Sequence, residues 1–203
     1  MPHPNRVHPD GRFRADPEPG TLMGNRGILL DDRGEALPKR WAHKAWVCCA
    51  LEFGGRHRKL RQPGRYTELF FLDEAVALAA GHRPCGTCRR AAFARWRALW
   101  DEVHGVAAVP AMDAVLHEAR AEPGGRRMRR GRTDDVGALP DGAFAVWDGA
   151  PHLVHGGALR RFAAGGYGAP RPLPHGPAEV LTPAPTLALL RAGYAPALHP
   201  SAA

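Results

Sequence analysis

No run of 18 apolar residues occurs anywhere in this 203-residue chain, so a membrane-spanning helix is excluded. Lysine is scarce: three against 25 arginines. Aromatic residues are few, at 7%, but five of them are tryptophan, so a handful of positions must carry much of the packing. Only four cysteines are present, two adjacent and two spaced C-x2-C, which is not the pattern of a disulfide framework. The first residues, Met1-Pro2-His3-Pro4-Asn5-Arg6, contain no apolar stretch. A secretory signal is therefore not expected, and a cytoplasmic protein with metal-binding or thiol chemistry is. Phosphate-binding P-loops, nucleophile elbows and dinucleotide fingerprints are also missing.

What is abundant is positive charge, glycine and proline. The 28 basic and 20 acidic side chains give a formal charge of +8, which attracts polyanions. Residues 1–65 alone hold 13 basic and 7 acidic groups, so +6 of the +8 lies there. The 24 glycines and 20 prolines predict short elements and many turns.

Residues 1–22 read as an irregular arm. Residues 23–122 form the first structured unit. Within it, Trp46 to Phe53 and Tyr66 to Leu72 have the length and residue types of strands. The period of two places Val47, Cys49, Leu51 and Phe53 on one face, expected to meet the rest of the fold. Asp73 is an N-cap for a short alanine-rich helix that Gly81 ends, while Glu68 and Glu74 receive no catalytic role. Phe93, Trp96, Trp100 and Val103 mark the apolar stripe of a helix over about 87–103, and another helix follows over about 111–121. Residues 123–135 read as a basic loop or linker. Residues 136–203 carry strand candidates at 142–147, 151–154 and 178–181, then a closing helix. The expected fold class is α+β, a metal-binding module with added helices plus a small β-rich C-terminal unit.

Cys85 and Cys88 lie in a turn entering a helix, where two thiolates three residues apart can grip one tetrahedral ion. Cys49 is the preferred third ligand. Cys48 points to the opposite face of the strand and could share the ion only through a bulge. For the fourth ligand His82, His57 and Cys48 stay open. Arg83, Arg89 and Arg90 beside the knuckle, with Arg56, Arg58 and Lys59 in the loop after the first cysteine strand, are candidates for phosphate contacts.

The stretch from Leu72 to Arg89, with its alanine-rich helix, Ala-Gly stop and Arg83-Pro84-Cys85-x2-Cys88, resembles the second half of the zinc-binding domain of Ada-type DNA alkylation repair proteins. The resemblance covers about 18 residues well, about 60 loosely and the C-terminal hundred not at all. It implies a zinc ion as cofactor, DNA as partner and ligand roles for Cys85 and Cys88. It also implies that the upstream cysteine, Cys49, is a methyl acceptor from DNA phosphotriesters. Where that family has an upstream C-x3-C, this chain has Cys48-Cys49, and His82 takes the place of an aromatic residue, so the expected donor set is three cysteines and one histidine. Two other readings compete. One is a zinc-stabilised structural or protein-interaction module without catalysis. The other is a nucleoside deaminase-like enzyme, whose Pro-Cys-x2-Cys motif this knuckle also resembles, with Glu52 as the nearest upstream acid.

Overall fold

The structure, a computed structural model, describes every residue except Met1, Asp32, Gly34, residues 56–59 and Pro63. The first half contains strands β1 (Arg6–Val7), β2 (Phe13–Arg14), β3 (Leu22–Asn25), β4 (Val47–Ala50) and β5 (Leu69–Phe71). Helix α1 (Glu74–Ala79), strand β6 (Arg83–Pro84) and helices α2 (Arg90–His104) and α3 (Val109–Arg120) follow. The second half contains β7 (Gly131–Thr133), β8 (Phe144–Trp147), β9 (Ala150–His155), β10 (Ala158–Ala163), β11 (Gly166–Pro172) and β12 (Ala178–Val180), closed by α4 (Ala184–Arg191). The class is α+β. One six-stranded sheet is mixed, in the order β2-β1-β5-β3-β4-β6, with β1–β5 and β4–β6 parallel. The other is antiparallel throughout, in the order β11-β10-β9-β8-β12-β7. No helix among the described residues is long and apolar enough to cross a membrane.

The arm expected to be irregular supplies two strands, β1 and β2, and the first residue of β3. Arg6 is buried and donates to the Ala164 carbonyl at 3.1 Å, which ties the arm to the second sheet. Leu22-Met23-Gly24-Asn25 is a central strand of the first sheet. Gly24 is needed there, because a Cβ would clash with the Val47 carbonyl oxygen of one neighbouring strand and lie 2.8 Å from the Phe71 ring of the other. Asp73 caps α1 as expected, accepting from the Val76 amide at 2.9 Å. The basic linker at 123–135 also enters a sheet, as β7 beside β12.

Packing crosses between the halves without a break. Val7, Leu69 and Phe71 of the first sheet share a core with Phe144, Leu153 and Phe162 of the second. Trp96 and Trp100 of α2 meet Leu189, Leu190 and Val154 in an adjoining cluster. Two neighbouring carboxylates reinforce the junction. Asp73 Oδ2 accepts from the Tyr167 hydroxyl at 2.7 Å and the His199 amide at 3.0 Å. Glu74 accepts from the Tyr194 hydroxyl at 2.7 Å, the Ala197 amide at 2.9 Å and the Arg89 guanidinium at 2.9 Å. Breaking a buried pair leaves the surviving charge without compensation. Glu74→Gln is therefore expected to lower unfolding free energy by about 3 kcal/mol in urea melts, the scale for a broken buried pair. Glu179→Gln, whose carboxylate meets Arg130 at 3.7 Å on the surface, is expected to change it by less than about 1 kcal/mol.

Trp46 forms a second, more polar centre. Its ring lies between the guanidiniums of Arg26 and Arg120, 4.2 and 4.0 Å from the ring centroid. His82 packs on Phe71 and Trp46, with its Nε2 accepting from Arg26 Nε at 3.4 Å, and His117 stands edge-on to Trp46. Burial, reinforced by Arg26 and Arg120, holds His82 well below its usual range. Burial, with Arg120 and Lys44, brings His117 down to about 4. Both rings are thus neutral when folded and bind a proton more readily when unfolded. Their contribution is complete above the unfolded value near 6.5 and is lost as pH falls toward 4. The urea midpoint is expected to drop between pH 7 and 5, with a shallower drop in His117→Gln.

Candidate metal centre

The register of β4 against β6 builds the centre. These strands run parallel, with Val47 opposite Arg83 and Cys48 opposite Pro84. The Cys85 amide then donates to the Cys48 carbonyl at 2.9 Å. One residue further along each strand, Cys49 and Cys85 come side by side. The chain turns at Cys85, with the Arg89 amide donating to the Cys85 carbonyl at 3.1 Å, and this turn returns Cys88 to the same point at the start of α2.

The sulfurs of Cys49, Cys85 and Cys88 all lie within 4.8 Å of one another. Tetrahedral zinc with sulfur at about 2.3 Å needs sulfur–sulfur separations of about 3.8 Å, so small side-chain adjustments would close the set on one ion. This three-cysteine cluster can hold a metal ion such as zinc. Its acid–base character also fits. Hydrogen bonding from the Cys49 thiol, helped by the Cys88 and Thr87 amides, brings Cys85 down to about 4. Cys49 is held above its usual range by its bond to Cys85 and by burial, and Cys88 is raised by burial. One thiolate is therefore welcome and further negative charge is opposed. A divalent cation removes that opposition and favours all three thiolates.

The other candidates are placed elsewhere. Cys48 is fully buried on the core face, where burial pushes it up to about 12, and Arg89 donates to its sulfur at 3.3 Å. The register of β3 against β4 has no bulge at the cysteine pair, so the two sulfurs stay on opposite faces. The expected facing is reversed. Trp46 and Cys48 enter the core, while Leu51 and Phe53, on the Cys49 side, are 48% and 40% exposed. Cys49 joins the cluster because its face is the open one. His82, proposed as fourth ligand, lies in the core between Phe71, Trp46 and Arg26 and is not part of the cluster. His57 lies outside the described residues, as do Arg56, Arg58 and Lys59.

Of the arginines beside the knuckle, two are committed internally. Arg83 is buried and grips Asp113 with two bonds of 2.7 and 2.8 Å. Arg89 pairs with Glu74. Arg90 is exposed on the first turn of α2. These partners lie 30 and 15 residues away, a separation that no local sequence signal reveals.

The cluster borders a pocket of about 320 Å³ walled by Leu51, Phe53, Leu60, Tyr66, Glu68 and Phe70. Glu68 is 3% exposed, and its Oε2 accepts from the Arg61 amide at 3.0 Å. Sequence reasoning gave this residue no role. The one available signal was its alternation with Leu69, which places it on the face of the chain opposite the core. Glu52, the acid required by the deaminase comparison, is exposed and does not line this pocket.

Comparison with protein-family models, curated proteins and solved structures found no match.

Purified protein is expected to carry about one zinc per chain. Cys85→Ser or Cys88→Ser should weaken zinc binding by at least about 100-fold, since losing a ligand costs more than losing a residue that only orients one. Cys48→Ala should leave the stoichiometry intact. Elemental analysis, and the thiolate charge-transfer absorption of cobalt-substituted protein, read both outcomes.

Proposed function

We propose that the protein is a zinc-thiolate protein that acts on nucleic acid, with DNA in an alkylation-repair or damage-response setting as the leading case. The observation that carries this reading is the position of the three sulfurs. They are half-buried at the edge of an apolar pocket, and three protein ligands come together among the described residues where a purely structural zinc site normally has four. The resemblance over residues 72–89 and the formal charge of +8 support a polyanionic partner. In this reading Arg90 and the basic run at 56–59 meet phosphates, while Arg83 and Arg89 hold the knuckle in place.

Zinc, when bound, keeps its cysteines deprotonated and nucleophilic at neutral pH. Cys49 is suited to be the acceptor because its strand face opens on the pocket, whose apolar walls suit a methyl group. The Cys49 sulfur would form a bond to the methyl carbon of a phosphotriester. The carbon–oxygen bond would break, its electron pair remaining on the phosphate oxygen to give a diester anion. No other reactant is required.

A second reading has its own support. The internal commitment of Arg83 and Arg89 removes two of the expected phosphate contacts, as a zinc-stabilised interaction module would allow. The two readings diverge in one experiment. Incubation with DNA carrying methyl phosphotriesters is expected to add one methyl group to Cys49, located by peptide mass spectrometry. DNA affinity should fall at least about tenfold between about 50 and 200 mM salt. Zinc-loaded protein with no methyl gain and a flat salt response would favour the interaction module.

A further inference from the structure

A second cavity has no cysteine in its lining. It measures about 580 Å³ and lies between residues of the N-terminal arm and a wall that includes Leu29, Arg33, Leu37 and Arg40. Its apolar lining comes from Phe13, Leu29, Leu37 and Leu69. Four cations, Arg33, Lys39, Arg40 and Arg61, line it against a single acid, Glu35. We propose that this cavity binds a small phosphorylated ring compound of mononucleotide size. The site does not depend on the metal centre.

Charge balance is the first argument. In the lining, Arg33, Lys39 and Arg40 outnumber the one carboxylate, Glu35. Among the described residues no carboxylate lies within ion-pair distance of Arg33, Lys39 or Arg40. This contrasts with Arg83 and Arg89, each neutralised by an acid. Cations of one sign around a low-dielectric hollow focus their potential into it. A phosphate monoester brings between one and a half and two negative charges at neutral pH, against one for a carboxylate, and matches the guanidinium fork.

The walls are the second argument. The Leu37 amide donates to the Leu29 carbonyl at 2.9 Å, and Leu30 bridges Ala36. Asp31 Oδ1 accepts from the Arg33 and Glu35 amides at 2.9 and 2.8 Å, so the turn bearing Arg33 is stapled. The Arg40 amide donates to the Gly125 carbonyl at 2.7 Å, and the Arg40 guanidinium lies 5.2 Å from the Phe13 ring centroid. On the opposite side the Phe70 amide holds the Asn5 carbonyl at 2.8 Å, and Arg61 touches His3. A cavity walled this way is set before its ligand arrives, which reduces the ordering cost of binding. The volume falls within the usual range for small-molecule sites, and Phe13 with the leucines can cover the faces of one ring.

The test is calorimetry on the full-length protein with AMP, adenosine and inorganic phosphate as probes. AMP is expected to bind with Kd at or below about 100 μM, with adenosine and phosphate each at least about tenfold weaker. Lys39→Ala combined with Arg40→Ala should weaken AMP by at least about tenfold while zinc content and circular dichroism stay unchanged. Arg33→Ala, which also removes a cation from the lining, should act in the same direction. The proposal is overturned if AMP shows no saturable heat up to about 5 mM, or binds no tighter than phosphate. It is also overturned if the double variant binds AMP as the parent does, or if a DNA duplex binds at these cations and AMP does not.

Discussion

Parallel pairing of two very short strands decides what this molecule can do. β4 and β6 share only two registered residue pairs, yet that register places Cys49 beside Cys85 across 36 positions of sequence. Parallel neighbours need a long crossover. Here the crossover contains β5 and α1, so the segments that bring the cysteines together also form the core behind them. The C-x2-C turn then adds Cys88 at no extra topological cost. A metal bound at this point would cross-link the two strands where they diverge, and so reinforce the pairing that created the site.

Behind the knuckle, one chain of polar contacts joins the cysteine strand to the far end of the sequence. Arg89 touches the Cys48 sulfur and Glu74, and Glu74 receives Tyr194 and Ala197. Buried charges of this kind are costly unless each has its partner, and here the partners come from three separate parts of the chain. The arginine–indole–arginine stack around Trp46 follows a different rule. Arg26 and Arg120 donate to backbone carbonyls and lie on an aromatic face, with no carboxylate among the described residues within ion-pair distance.

Features with local causes were legible in the sequence: the Asp73 cap, the Gly81 stop, the helices carrying Trp96 and Met112, and the ligand spacing of Cys85 and Cys88. Features made by distant partners were not. β1, β2 and β6 are two residues long and exist because a neighbour pairs with them. β3 contains Gly-Asn, a turn signal, because the Val47 carbonyl and the Phe71 ring occupy the space that a side chain at Gly24 would take. Around Cys49, alternation correctly separated the two strand faces but not which one is buried. Both are apolar, and the large Trp46 ring decides the matter. Arg83 and Arg89 looked like phosphate ligands because nothing near them in sequence is their counter-ion. Glu68 carries no local signal of a role, since its significance lies in the pocket it faces.

The C-terminal residues have a consequence for how such a chain can evolve. Tyr194, Ala197 and His199 supply hydrogen bonds to the two acids that open α1, and Ala202 enters the shared core. The cysteine-bearing half therefore cannot be spliced into another protein as a free-standing cassette without exposing Asp73 and Glu74. Gene fusions that keep this thiolate cluster working are expected to carry the whole span from arm to tail, with added sequence attached outside it.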